Sequence, residues 1–284
     1  MTNPEHFAYE VTERIATITF DRADKMNAFT RRMGEDFISL IDRAEADEEV
    51  RCIVVTGNGR VFCAGADLSA SKSSFTGGTG QDEIEFRDFG GVIALRLFDC
   101  LKPVIAAYNG PAAGMGVTMM LAADIRLAST TAKFVLPFVR RGIANESCCS
   151  WFLPKIVGVS KALEWILTGQ SVSAREALES GLVRSLHEPA DVLPAARAIA
   201  TTIAQNTAPV SVALSRQMLW KMSGCETPHE AHRIESMGIH SRSQSDDVKE
   251  GVASFMERRD PDFPETVPAN LPDFFPWWDA EADR

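Results

Sequence analysis

The chain has 284 residues, 45% of them apolar, enough for one large globular core or a core with an appended helical part. A formal net charge of -10 argues against nucleic acid as the main partner, because neutralising phosphates takes clustered Lys and Arg. No apolar run is long enough to span a membrane, and MTNPEHFAYE lacks the basic and apolar regions of a signal peptide, so a soluble, cytoplasmic protein without membrane contact is expected.

The first forty residues read as strand, strand, helix. Ala16, Ile18 and Phe20 alternate with Thr17 and Thr19 as on a half-buried strand, and Met33, Phe37, Leu40, Ile41 and Ala44 then follow helical spacing. CIVVTG at Cys52 to Gly57 is short, β-branched and closed by glycine, which suits a fully buried strand. SASKSSFTGGTG at Ser69 to Gly80 has no apolar period and is expected to be a mobile loop. A helix is expected from about Asp82 through Phe98, burying Ile84, Phe89, Val92, Ile93 and Leu97. Pro103 opens a buried strand, VIAAY, that ends at Tyr108; a short helix from Gly114 and a strand IRLA at Ile125 to Ala128 follow.

After Gly158 the pattern predicts helices alone. Ser173 with Glu176, and Thr227 with Glu230 behind Pro228, fit the capping box. These readings place an α/β core at residues 1–190, a helical part at 191–260 and an aromatic tail at 261–284. The tail carries Phe274, Phe275, Trp277 and Trp278, which are costly to leave in water and are expected to pack on their own domain or on a neighbouring subunit. The six cysteines (Cys52, Cys63, Cys100, Cys148, Cys149, Cys225) have no CxxC pair and no histidine at zinc spacing. Reduced, buried thiols and no metal site are expected.

Two segments carry the chemistry: FCAGADL at Phe62 to Leu68 and NGPAAGMG at Asn109 to Gly116. Each places small residues where backbone N–H groups lie open to a ligand, although either one alone reads as a tight turn. A dinucleotide fingerprint does not fit, since Met119 stands where the third glycine belongs. DKMNAF (Asp24 to Phe29), KPVIAAYNG (Lys102 to Gly110), AADIRLAS (Ala122 to Ser129), LTGQ (Leu167 to Gln170) and EALESGLV (Glu176 to Val183) accompany them. Together and in this order, over roughly residues 10–260, they resemble the crotonase family of enoyl-CoA hydratases and isomerases.

That resemblance implies an α/β, crotonase-like spiral of β-β-α units with a helical C-terminal trimerisation part. It implies an acyl-CoA thioester substrate, with coenzyme A as part of the substrate and no separate cofactor, and a homotrimer or dimer of trimers. The N–H groups of Ala66 and Met115 would form an oxyanion hole, each worth about 3 kcal/mol or more, with Met115 in the first turn of a helix whose dipole also favours an enolate. The CoA moiety would lie along Met26, Ala28, Ala64, Ala66, Asp67, Leu68, Met115, Pro137 and Phe138. Lys25, Arg258 and Arg259 are candidates for its phosphates or simply solvated charges, and Asp67 is equally suited to capping a helix.

The reaction is harder to read. Family hydratases use two glutamates at positions held here by Thr118 and Phe138, and neither can act as a general base. Glu146, eight residues after Phe138, matches a position that often carries the working acid in family isomerases, where one carboxylate moves a proton between carbons. Phe138 and Trp151, if near, would raise its pKa, whereas pairing with Arg140 or Arg141 would lower it. The structural alternative is an N-cap or first-turn acid of a helix at Ser147 to Val157. Hydration by Glu146 with Asp82, Glu83 or Glu85 as a second acid stays open, as does a non-catalytic acyl-CoA-binding protein. A dehalogenase or β-diketone hydrolase is disfavoured because His6, His187, His229, His232 and His240 lie away from the motifs. Phe75, Phe86, Phe89, Phe138 and Trp151 could wall an acyl pocket or be plain core.

Overall fold

Glu13 and Arg14, both at positive φ (55° and 64°), turn β1 (Phe7–Thr12) back into β2 (Ile15–Phe20), an antiparallel hairpin whose turn shares the strands' twist. These and all other observations come from a computed structural model, which describes residues 3–67 and 87–278. The 69–80 loop, Leu68, Phe75, Asp82, Glu83, Ile84, Glu85 and Phe86 lie outside the described residues. Thr30 caps α1 (Arg31–Ala46) by accepting the Met33 N–H, and Met33, Phe37, Leu40, Ile41 and Ala44 are buried as their spacing predicts. β3 (Cys52–Gly57), α2 (Phe89–Phe98), β4 (Val104–Tyr108) and β5 (Ala112–Ala113) follow. α3 (Met115–Thr118) is one turn that passes into a 3-10 turn over Met119–Ala122, ahead of β6 (Ile125–Ser129) and β7 (Lys133–Val135).

The second half holds α4 (Cys149–Val157), α5 (Val159–Thr168), β8 (Ser171–Ser173), α6 (Ala174–Glu179) and β9 (Ser185–His187). The chain then runs through α7 (Val192–Asn206), α8 (Pro209–Met222), α9 (Pro228–Arg242) and α10 (Asp246–Glu257). One sheet has the order β1-β2-β3-β4-β6-β9 and is parallel from β2 onward; β5, β7 and β8 form a second. β3 is buried on both faces: Ile53 and Val55 enter the main core, while Cys52 and Val54 meet Val192, Ala196, Ala200 and Ala204 of α7. That two-sided burial explains a β-branched run without polar alternation.

Five expectations change. The helix expected from about Asp82 begins at Phe89 among the described residues, because Asp88 is extended and caps it. β8 and β9 interrupt the helical second half; three residues each, they are too short to show a period of two and are strands because β7 and β6 offer them edges. Val92, expected in the core, is 39% exposed, since Gly90, Gly91, Ile93, Ala94 and Leu97 take the inward face of α2. Thr227 precedes α9 without a side-chain capping bond, and Glu230 instead accepts from Cys225 Sγ; Ser173 does cap, accepting from Glu176 N–H. Cys148 and Cys225 are partly exposed, although Cys52, Cys63, Cys100 and Cys149 are buried and all six are free. The tail packs on its own chain, where Phe274, Phe275 and Trp277 join Val210, Ala213 and Leu214 of α8.

Candidate active site

The two glycine segments are stitched side by side by their own backbones. Pro111 O accepts from Phe62 N–H (3.0 Å) and Cys63 N–H (3.4 Å), and Cys63 O accepts from Ala113 N–H (3.0 Å). Only glycine permits this approach: a Cβ on Gly65 would stand 2.7 Å from Ala113 O, and one on Gly116 would stand 2.5 Å from Cys63 O. Gly65 (φ 92°) and Gly114 (φ 51°, ψ -124°) also hold conformations that side chains oppose, and each turns the chain just before a proposed donor. Phe29 brackets Ala66 by bonding Gly65 O and Asp67 N–H, which leaves the Ala66 N–H outside that ladder. Met115 opens α3, and no acceptor among the described residues takes its N–H or that of Ala66. The expected helix dipole is weak here, because α3 is only four residues long.

The loop expected to hold CoA closes over this pair. Ala64 N–H donates to Met26 O (3.0 Å), and Arg22 donates to Asp67 Oδ2 (2.6 Å) and Ala28 O (2.9 Å). Met26 is thereby bound to Ala64, and Arg22 joins Ala28 to the buried Asp67 carboxylate. Asn27, buried and at φ 52°, supports the loop by donating to Asn58 O, Val61 O and Phe62 O. Lys25 and Arg258 are exposed, whereas the Arg259 guanidinium is occupied by Glu250 and Glu257. Pro137 and Phe138 are buried after β7, with a Phe138 ring carbon 4.0 Å from where a Gly114 Cβ would be.

Thr118 is fully buried and its hydroxyl donates back to Gly114 O (3.3 Å), so the two family glutamate positions hold a satisfied hydroxyl and a packed ring. Glu146 stands eight residues after Phe138, in the turn ahead of α4. Its carboxyl is half-buried and pushed up to about 7, first by burial and then by the negative charge of Asp88. The expected helix at Ser147 starts later, at Cys149, because Ser147 (φ 58°) and Cys148 (φ 54°) are both left-handed. Glu146 is accordingly not a first-turn acid; its carbonyl accepts from Cys149 N–H (3.0 Å). Arg140 donates instead to Thr168 O (2.6 Å). Trp151 sits in a ring cluster with Phe98, Phe152 and Trp220, and Phe89 lies under Arg31, so both read as packing residues.

A profile of the Enoyl-CoA hydratase/isomerase family matches residues 10–266. The chain belongs to that family. It is 41% identical over 254 residues to an enoyl-CoA hydratase of Alternaria alternata, covering 89% of this chain and 84% of the relative. It is 30% identical over 262 residues to the 1,2-epoxyphenylacetyl-CoA isomerase of Escherichia coli K12, covering 91% and 98%. A crystal structure of enoyl-CoA hydratase from Bacillus anthracis superposes with a TM-score of 0.82 at 28% identity, over 91% of this chain and 99% of that one. The fold is thus that of the crotonase-type hydratases, and no helix among the described residues is long and apolar enough to cross a membrane.

Sequence reasoning missed Asp88. It caps α2, accepting from Gly91 N–H (2.6 Å), and also accepts from Ser147 N–H (3.0 Å), so it stands beside Glu146. The only sequence signal is an Asp three residues before a glycine at a helix start, which reads as an ordinary cap.

Proposed function

We propose that this family member shifts the double bond of an enoyl-CoA thioester, with Glu146 as its single acid-base group. Glu146 removes the C2 proton of a 3-enoyl thioester, and the electron pair moves onto the thioester oxygen. The Ala66 and Met115 N–H groups hold that enolate oxygen, each contributing about 3 kcal/mol. Glu146 then returns the proton at C4, leaving the 2-enoyl product. The carrying observation is the Glu146 carboxyl, pushed up to about 7 where Thr118 and Phe138 supply no acid: a group near neutrality can both take and return a proton.

A second reading, hydration of a 2-enoyl thioester, is favoured by the hydratase name of the Alternaria relative and by Asp88 as a second carboxylate near Glu146. Turnover of 3-enoyl- and 2-enoyl-CoA esters by wild type and Glu146→Gln separates the readings. Conjugation without hydration, abolished in the variant, supports isomerisation; hydration by the wild type supports the second reading; binding with no turnover of either makes the chain an acyl-CoA-binding member. In this proposal the CoA moiety lies along Met26, Ala28, Ala64, Ala66, Asp67, Leu68, Met115, Pro137 and Phe138. Assembly as a trimer or pair of trimers belongs to the same proposal, supported by the bare apolar residues Leu219, Ile239 and Phe255 on α8, α9 and α10.

A further inference from the structure

The turn that carries Glu146 is held in a conformation its residues resist. Ser147 and Cys148 are consecutive non-glycine residues at positive φ (58° and 54°), and such a pair persists only where the surroundings determine it. Here the surroundings are the head of α2. Asp88 Oδ1 accepts from Gly91 N–H at 2.6 Å and from Ser147 N–H at 3.0 Å, so one oxygen joins the helix start to the turn. Two glycines make room for this: a Cβ on Gly90 would stand 2.2 Å from Ser147 Oγ, and one on Gly91 would stand 2.6 Å from Asp88 Oδ2. Ser147 is fully buried, and its hydroxyl has no partner among the described residues, so its backbone, not its side chain, is what the contact uses.

We propose that Asp88 is the positioning residue of this site: its carboxylate clamps the Glu146 turn to the head of α2 and stands as a fixed negative charge beside the glutamate. This rests on the reading of Glu146 as the working acid-base group. A cap alone needs only the bond to Gly91; the second bond, across 59 residues to Ser147, ties the cap to the catalytic turn. The charge acts in the same direction as burial, keeping Glu146 protonated to higher pH than a lone carboxyl at this depth. Among the described residues, the other titratable groups bearing on the place are the Cys149 thiol of α4, pushed up to about 12 and so neutral, and the Cys148 thiol, also raised. Arg140 is turned to Thr168 O, while Arg87 and Arg141 are exposed.

The test uses Asp88→Asn, which keeps an oxygen for both N–H groups but loses the charge, and Asp88→Ala, which loses both. An infrared titration of the Glu146 carboxyl, isolated as the difference from Glu146→Gln in each background, is read beside the pH profile of kcat/KM on a 3-enoyl-CoA ester. The proposal expects the Glu146 titration to move acidward by about one unit in Asp88→Asn, with the acid limb of kcat/KM moving alongside it and KM unchanged. It expects kcat to fall on the order of tenfold to a hundredfold in Asp88→Ala and to be largely restored in Asp88→Asn. A titration that stays put in Asp88→Asn overturns the proposal and leaves Asp88 a simple helix cap, a role asparagine fills equally well; an equal loss of kcat in both variants also overturns it, since Asp88→Asn keeps the oxygen that both N–H groups need. If Asp88→Ala does not fold, the Asp88→Asn titration decides. If Glu146→Gln keeps full turnover, the catalytic reading of Glu146 falls, while the infrared titration still reports whether Asp88 acts on that carboxyl.

Discussion

Ionising Glu146 costs the folded state stability, and Glu146→Gln removes that cost. Its folded carboxyl titrates at about 7 against an ordinary value of 4.5, with burial the larger cause and Asp88 the smaller. A raised carboxyl binds its proton in the folded state where the unfolded state has lost it. Its stabilising contribution is therefore complete below pH 4.5 and disappears as pH rises through 7. The difference of about 2.5 units at 1.36 kcal/mol each amounts to about 3 kcal/mol between acid and alkaline limits. Glutamine is nearly isosteric and does not titrate, so the variant should lack this slope. Urea unfolding of both proteins at closely spaced pH values from 4.5 to 8, at one protein concentration, measures it. The wild type should lose about 3 kcal/mol relative to the variant across the window, and parallel curves would refute the burial assigned to the carboxyl.

Gly65→Ala places a Cβ 2.7 Å from Ala113 O at a φ of 92°, so the two glycine segments must part. We expect a loss of roughly 1–3 kcal/mol in stability and a fall in kcat that exceeds any change in acyl-CoA affinity, checked by thermal unfolding and steady-state kinetics. Lys102 is buried, donates to Ala44 O (2.9 Å) and Asp47 O (2.5 Å), and is pushed down by burial to about 8. The folded state therefore sheds this proton before the unfolded state does, and the term grows more stabilising as pH rises from about 8 to 10.5. Lys102→Met should flatten unfolding free energy over that range, and an unchanged slope would refute the assignment.

What was legible in the sequence was what repeats or what glycine alone can do. The alternation around Ile18, the helical stripe from Met33 to Ala44 and the β-branched run at Cys52 each state their element directly. Gly65, Gly114 and Gly116 marked two segments with open backbone, and the structure packs those segments against each other. β8 and β9 were hidden because three residues carry no period, and their pairing depends on edges elsewhere in the chain. Val92 was misplaced because the inward face of α2 is lined partly by glycines, which carry no hydrophobic signal. Asp88 stayed hidden for a similar reason: its bond to Ser147 spans 59 positions and follows from two left-handed residues that no propensity suggests. Glu146 was visible only by its place after Phe138, whereas its raised pKa follows from burial and from Asp88, both properties of the folded chain.

The proposed reaction depends most directly on where the thioester lies. A crystal structure of Glu146→Gln with a 3-enoyl-CoA ester should place the thioester oxygen about 2.7–3.1 Å from both the Ala66 and Met115 nitrogens, with the residue 146 side chain facing the acyl carbons C2 and C4. A thioester bound away from those two N–H groups, or a residue 146 side chain turned from the acyl chain, would contradict it.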